Sequence, residues 1–140
     1  MVAKLLQQAG LNLGDEADLM PPAAENPEGF YEHLEFVRLN DEVLNVAGAG
    51  WDCPPAAGFN WHDDALDSFR ERARSLASQL EERLPWGWKD PRTSLTLPFW
   101  RSALGYVATP DNPAFLADPG LHAFAHLQSG GAPRRIRPRP

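Results

Sequence analysis

Apolar residues return at spacings of three and four along residues 62–84, at Leu66, Phe69, Ala73, Leu76, Leu80 and Leu84, with Arg and Glu filling the positions between. That period gathers the apolar set on one stripe and predicts an amphipathic helix over the whole segment, its charges forming a solvated face. A second stripe, Leu34, Val37, Leu39, Val43, Leu44 and Ala47, predicts a helix over residues 31–47. Residues 2–9 carry Val2, Leu5, Leu6 and Ala9 on one face and meet Gly10 as a stop. Between these, residues 11–20 read as a loop or short turn and residues 21–29 as a proline- and alanine-rich connection. Residues 48–58 form a loop rich in Gly, Pro and Trp, in which Trp51 is expected to pack the loop against a sheet.

The pattern changes at Trp86. The short apolar run of residues 86–89 predicts a buried strand, and residues 93–104 predict a further amphipathic helix. Lys89, Asp90 and Arg92 fall at the junction, where an open α/β sheet collects its chemistry. Pro91 biases Asp90 away from helical angles, and Thr93 or Ser94 is placed to cap the following helix. Two tryptophans before these charges and a Phe-Trp pair after them suit a lined pocket better than a solvated turn.

Beyond Gly105 the apolar clusters are short, and the chain ends in Pro133-Arg-Arg-Ile-Arg-Pro-Arg-Pro140, a basic, proline-rich tail expected to be disordered. The division is therefore one domain over residues 1–104 and an irregular tail over residues 105–140. A chain of 140 residues has room for one core. The net charge is −6, with −9 on residues 1–100 and +3 on residues 101–140. The acidic body argues against a specific nucleic-acid partner. No apolar run is long enough for a membrane span and no amino-terminal signal pattern is present, so a cytoplasmic protein without a membrane partner is expected. The single cysteine, Cys53, excludes an intramolecular disulfide and reads as a small buried thiol. His122 and His126 are four apart, a spacing that places both on one helix face. Neither a third ligand nor an acidic base accompanies them, so no metal site is expected.

Three blocks, in order, resemble the bacterial sulfotransferase family. The first is Leu19-Met-Pro-Pro with Asn26-Pro-Glu-Gly-Phe-Tyr-Glu32. The second is Phe36-Val-Arg-Leu-Asn-Asp-Glu-Val-Leu44 leading to Gly50-Trp-Asp-Cys-Pro-Pro55. The third is the Lys89-Asp-Pro-Arg92 run with Leu97-Pro-Phe-Trp-Arg101. Together they span residues 2–104. The resemblance implies an α/β, P-loop NTPase-like three-layer fold, here incomplete and mostly helical with one strand. It also implies transfer of a sulfuryl group from 3'-phosphoadenosine 5'-phosphosulfate (PAPS) to a hydroxyl or amine of a small-molecule or glycan acceptor.

Carried over by the resemblance, Lys89 is the residue that contacts the donor, and Glu32 stands where such enzymes hold a carboxylate near the acceptor. Arg92 has a planar fork suited to a phosphate or an acidic acceptor, and Asp90 is placed to orient Lys89, to accept a proton, or simply to initiate the turn before Pro91. Glu32 also suits the start of a helix without any catalysis, and Glu35 and His33 compete for the role of base. The resemblance places a Ser-Gly-Thr-Ser-like turn just before Met1 and an Arg…Ser pair after residue 104, and the sequence contains neither. The expectation is therefore little transferase activity for this chain. The alternative is a non-catalytic helical binding or scaffold protein derived from such an enzyme, with a homo-oligomer covering exposed apolar faces.

Overall fold

Six of the thirteen residues of the helix Leu34–Val46 are buried: Phe36, Val37, Leu39, Asn40, Val43 and Leu44. Their spacing is that of one helical face, and five are apolar, so burial of this stripe sets how the helix docks. The computed structural model describes residues 2–105 and, for the backbone, residues 124–126. In chain order the elements are α1 (Val2–Gln8), a 3-10 turn (Glu16–Asp18), α2 (Leu34–Val46), a 3-10 turn (Asp64–Leu66), α3 (Asp67–Glu81), β1 (Trp86–Trp88), α4 (Thr93–Leu104) and β2 (Phe124–His126).

Helix α2 begins later than the stripe alone suggests: Tyr31 is left-handed and His33 extended. His33 closes its amino end with a side chain: Nδ1 accepts from the Glu35 amide at 3.3 Å. The segment expected as one helix over residues 62–84 is shorter and starts with a separate turn. Asp63 accepts from the Ala65 amide at 2.9 Å, and α3 follows directly. Its buried face is Arg70, Ala73, Ala77 and Leu80, while Leu84 lies outside the helix and is exposed. Arg70 departs from the expected solvated face. Its guanidinium donates to the carbonyls of Trp61 and Asp63 at 3.1 and 2.8 Å and to Asp67 at 2.7 Å, tying the 61–63 loop to α3. Small Ala73 and Ala77 let α3 lie close to its neighbours, and α3 packs on both α2 and α4. Helix α4 matches its predicted bounds. It ends at Gly105 (φ 67°), whose amide donates back to Arg101, and Arg74 donates to the Ala103 carbonyl at 2.9 Å.

The three helices close over Trp86 and Trp88, which are fully buried on a three-residue strand. Phe36, Trp88 and Trp100 form an aromatic cluster with centroids 4.7–5.3 Å apart, separations at which ring contacts add to the area they bury. A smaller apolar cluster, Ala3, Leu11 and Leu13, packs with Leu19 and Tyr31.

Strand β1 pairs antiparallel with β2, Gly87 opposite Ala125. Its other neighbour is a single parallel bridge to Asn12, made by hydrogen bonds from Asn12 to Pro85 and from Gly87 to Asn12. Among the described residues pairing goes no further. They are mainly helical around one short buried strand, as expected for an incomplete fold, and the three-layer α/β arrangement implied by the resemblance is not built among them. The strand also ends one residue early, at Trp88. His126 lies on β2 rather than on a helix, and His122 lies outside the described residues, as does the 133–140 tail.

Candidate functional site

The backbone leaves β1 at Trp88 and re-enters regular structure at Thr93, so four residues, Lys89-Asp-Pro-Arg92, make the turn. Asp90 organises it from the inside. Fully buried, it accepts at Oδ1 from the Arg92 amide and from Arg92 Nη1, both at 3.0 Å, and its carbonyl accepts from the Thr93 amide. The expected capping by Thr93 or Ser94 is thus replaced. No side chain caps α4 from its flanking residue, Arg92. Ser94 Oγ donates to the Pro91 carbonyl, and Thr93 faces the core.

The second carboxylate oxygen of Asp90 accepts from Asn40 Nδ2 at 2.8 Å. Asn40 is fully buried on α2 and uses all of its hydrogen-bonding capacity. It donates to Asp90 and, at 3.2 Å, to Thr93 Oγ1. It accepts at Oδ1 from Thr96 at 2.6 Å and from the Trp100 indole at 2.8 Å. The Trp88 indole donates to Thr93 Oγ1 at 3.0 Å. The Asn40 amide thereby ties α2 to the turn and to α4, and β1 joins them through Thr93 Oγ1.

Lys89 reaches the other way, to a loop 57 residues earlier. Its Nζ lies 2.5 Å from Glu32 Oε1 and donates to the Phe30 carbonyl at 3.2 Å. Glu32 is 6% exposed and precedes the helix rather than opening it. Its carbonyl accepts from the Met20 amide at 2.7 Å, and its neighbour His33 bridges to Leu19. Tyr31 holds a left-handed φ of 57°, following Gly29 at 90°, and this bend brings Glu32 inward. A bulky residue rarely adopts such angles, and strain of this kind concentrates at functional loops.

Arg92 links the two halves. Its Nε lies 2.7 Å from Asp41, its Nη1 3.0 Å from Asp90 and 3.9 Å from Glu32. Burial alone would lower the Arg92 pKa. The charges of Asp90 and Asp41, with the hydrogen bond to Asp90, outweigh that and hold it above the ordinary value. All four sequence-predicted residues therefore converge. The competing candidates do not: Glu35 pairs with Arg38 on the surface at 2.7 Å, and His33 is spent on the helix cap. Burial lowers the His33 pKa despite the nearby carboxylates of Asp18 and Glu35, which favours the neutral ring that the cap requires.

Above this cluster opens a cleft of about 410 Å³, lined by Met20, Phe30, Glu32, Trp51, Pro91, Arg92 and Ser94. Trp51 was expected to be packed against a sheet, and Cys53 to be buried. Both are exposed, because residues 50–53 form a tight turn that projects from the body.

From the sequence Asn40, Asp41 and Thr96 are not singled out, and Thr93 is marked only as a helix cap. A signal for Asn40 exists: it occupies a polar position on an otherwise apolar stripe, where only a hydrogen-bonded side chain is tolerated. Among the described residues no group of three or more His, Cys, Asp or Glu is arranged to hold a metal. None of the described helices is long and apolar enough to cross a membrane. Comparison with family models, curated proteins and solved structures finds no match to this chain.

Proposed function

We propose that the turn after β1 and the loop carrying Glu32 form part of a sulfuryl-transfer site of the P-loop-like, PAPS-dependent kind. One observation carries the reading: the partly exposed lysine of the Lys-Asp-Pro-Arg run meets the buried Gly-Phe-Tyr-Glu carboxylate at 2.5 Å beside an open cleft. In sulfuryl transfer the acceptor oxygen or nitrogen bonds to sulfur as the bond from sulfur to the nucleotide's phosphate oxygen breaks. The leaving oxygen gains an electron pair and the acceptor loses a proton. Lys89 would offset the charge on the leaving oxygen, and Glu32 would take the proton. Pairing these two groups at rest keeps the ammonium close to the carboxylate. Asp90 and Asn40 would position both by fixing the turn.

The same pairing argues for a weak donor site in this chain. Lys89 and Arg92 face three carboxylates, Glu32, Asp41 and Asp90, so this cluster carries a net charge of −1. An anionic donor has to compete for cations already engaged, and little activity is expected. That ion cluster equally suits a non-catalytic scaffold, which needs the charges only to hold the loop.

The deciding experiment follows labelled sulfate from PAPS into a panel of alcohols and amines, beside a titration with the desulfated nucleotide. The expected result is binding weaker than micromolar and slow transfer, lost in Lys89→Ala and Glu32→Gln. A wild-type chain that neither binds the nucleotide at millimolar concentration nor transfers label overturns the reading in favour of a scaffold.

A further inference from the structure

The exposed indole of Trp51 needs an explanation. It is 73% exposed, while three of the other four tryptophans are fully buried. Its position is held firmly. The Gly50 amide donates to the Cys53 carbonyl at 2.9 Å and the Cys53 amide donates to Gly50 at 3.2 Å, so Trp51 and Asp52 are the two tip residues of a closed turn. That turn presents the ring at the mouth of the cleft whose other walls are Met20, Phe30, Pro91 and Ser94, with Glu32 and Arg92 on the polar side. A large aromatic surface held in water beside a polar floor suits a ligand with one apolar face and several hydroxyls.

The charge of the cluster narrows the class. With two cations set against three carboxylates, the site offers no surplus positive charge to an anionic acceptor. We infer that the cleft takes a neutral sugar ring, its C–H face on Trp51 and a hydroxyl turned toward Glu32. This rests on the reading of Glu32 as the acceptor-side carboxylate and names the acceptor class for it. The cleft's volume of about 410 Å³ suits one or two rings.

The test is a titration of the 140-residue protein, followed by the indole N–H signals, with methyl glucosides, cellobiose and sucrose. Glucose 6-phosphate and phenol serve as the charged and flat aromatic counterparts. Saturable movement of one indole signal by a neutral sugar, absent from Trp51→Ala, is expected, with affinity falling about tenfold or more in that variant. Trp51 lies outside the core, so Trp51→Ala should keep the wild-type thermal transition. Glucose 6-phosphate should bind several-fold more weakly than the methyl glucosides, and phenol should not displace them.

The inference fails if no neutral sugar saturates, if Trp51→Ala binds as the wild type does, or if phenol or the phosphosugar binds best. Its failure is separable from that of the transfer reading. Sugar binding without any nucleotide-dependent transfer leaves this inference standing and removes the other. Nucleotide-dependent transfer to a non-sugar alcohol, with no sugar bound, does the reverse.

Discussion

Asn40 and Lys89 both anchor the turn that follows β1, yet they are held in different ways. Asn40 is fully buried and spends its two donors and its acceptor oxygen on Asp90, Thr93, Thr96 and Trp100. Lys89 keeps 21% of its side chain exposed and meets one carboxylate and one carbonyl. A saturated buried amide has no alternative partner, so it fixes geometry. A half-open ammonium can exchange its carboxylate for another anion at modest cost, because water still reaches it. The difference separates the part of the site that holds position from the part that is free to act.

The largest effect should come from the fixed side. Replacing Asn40 with leucine keeps the volume but removes four hydrogen bonds, and it leaves Asp90 with one oxygen unpartnered in the core. A loss of roughly 3–5 kcal/mol in urea unfolding is expected, enough to unfold a marginal domain. Should the variant lose less than about 1 kcal/mol, the amide is not the organising group and the contrast with Lys89 collapses.

Lys89→Met tests the open side. Glu32 loses its ammonium partner while Arg92 remains 3.9 Å from its other oxygen. Stability should fall by about 1–2 kcal/mol in urea unfolding. The double variant Lys89→Met, Glu32→Gln should recover part of the loss, because no unpaired buried charge remains. A single-variant loss as large as that of Asn40→Leu would place Lys89 with the structural network instead.

How much of this was legible in the sequence follows the same division. The stripes at residues 34–47 and 66–80 and the run at residues 93–104 were readable because burial of one helix face is periodic. The convergence of Glu32, Lys89, Asp90 and Arg92 was anticipated through motif resemblance. Arg70 was not. A charge in an amphipathic pattern reads as solvated, and only the path of the 61–63 loop reveals the carbonyls that it satisfies. Trp51 failed for a similar reason. Hydrophobicity says that an indole prefers burial, whereas a two-residue turn closed by backbone hydrogen bonds decides where it points. The three-layer α/β arrangement came only through the resemblance, and among the described residues β1 finds only β2 and the bridge at Asn12.

The pH dependence sharpens the comparison at His33, which borders Glu32 but belongs to the fixed side. Burial lowers its pKa below the ordinary 6.5, so the unfolded chain takes up a proton at a higher pH than the folded one. Between the two values the unfolded state binds more protons, and stability rises with pH. The contribution is complete above 6.5 and is lost as pH falls from there toward the folded pKa. Protonation at Nδ1 also removes the acceptor that caps α2 and puts a cation at a helix amino terminus. Unfolding followed from about pH 7.5 down to about pH 5.5 should show stability declining, flattened in His33→Asn, which retains a capping oxygen. An identical decline in the variant would assign the dependence to other groups.

The smallest effect is expected where an ion pair has neither burial nor a network behind it. Arg72 and Glu42 join α3 to α2 through a close contact between half-exposed side chains. Its geometry is as good as that of Lys89 with Glu32, and its sequence separation is long, so distance alone would rank the two pairs together. Solvent decides otherwise: water screens the attraction, and fixing two long side chains costs entropy. Arg72→Ala should therefore change stability by no more than about 0.5 kcal/mol, and added salt should erase even that. A loss equal to that of Lys89→Met would mean that exposure is not what distinguishes these pairs. The freedom assigned to Lys89 would then need a cause other than its partial access to water.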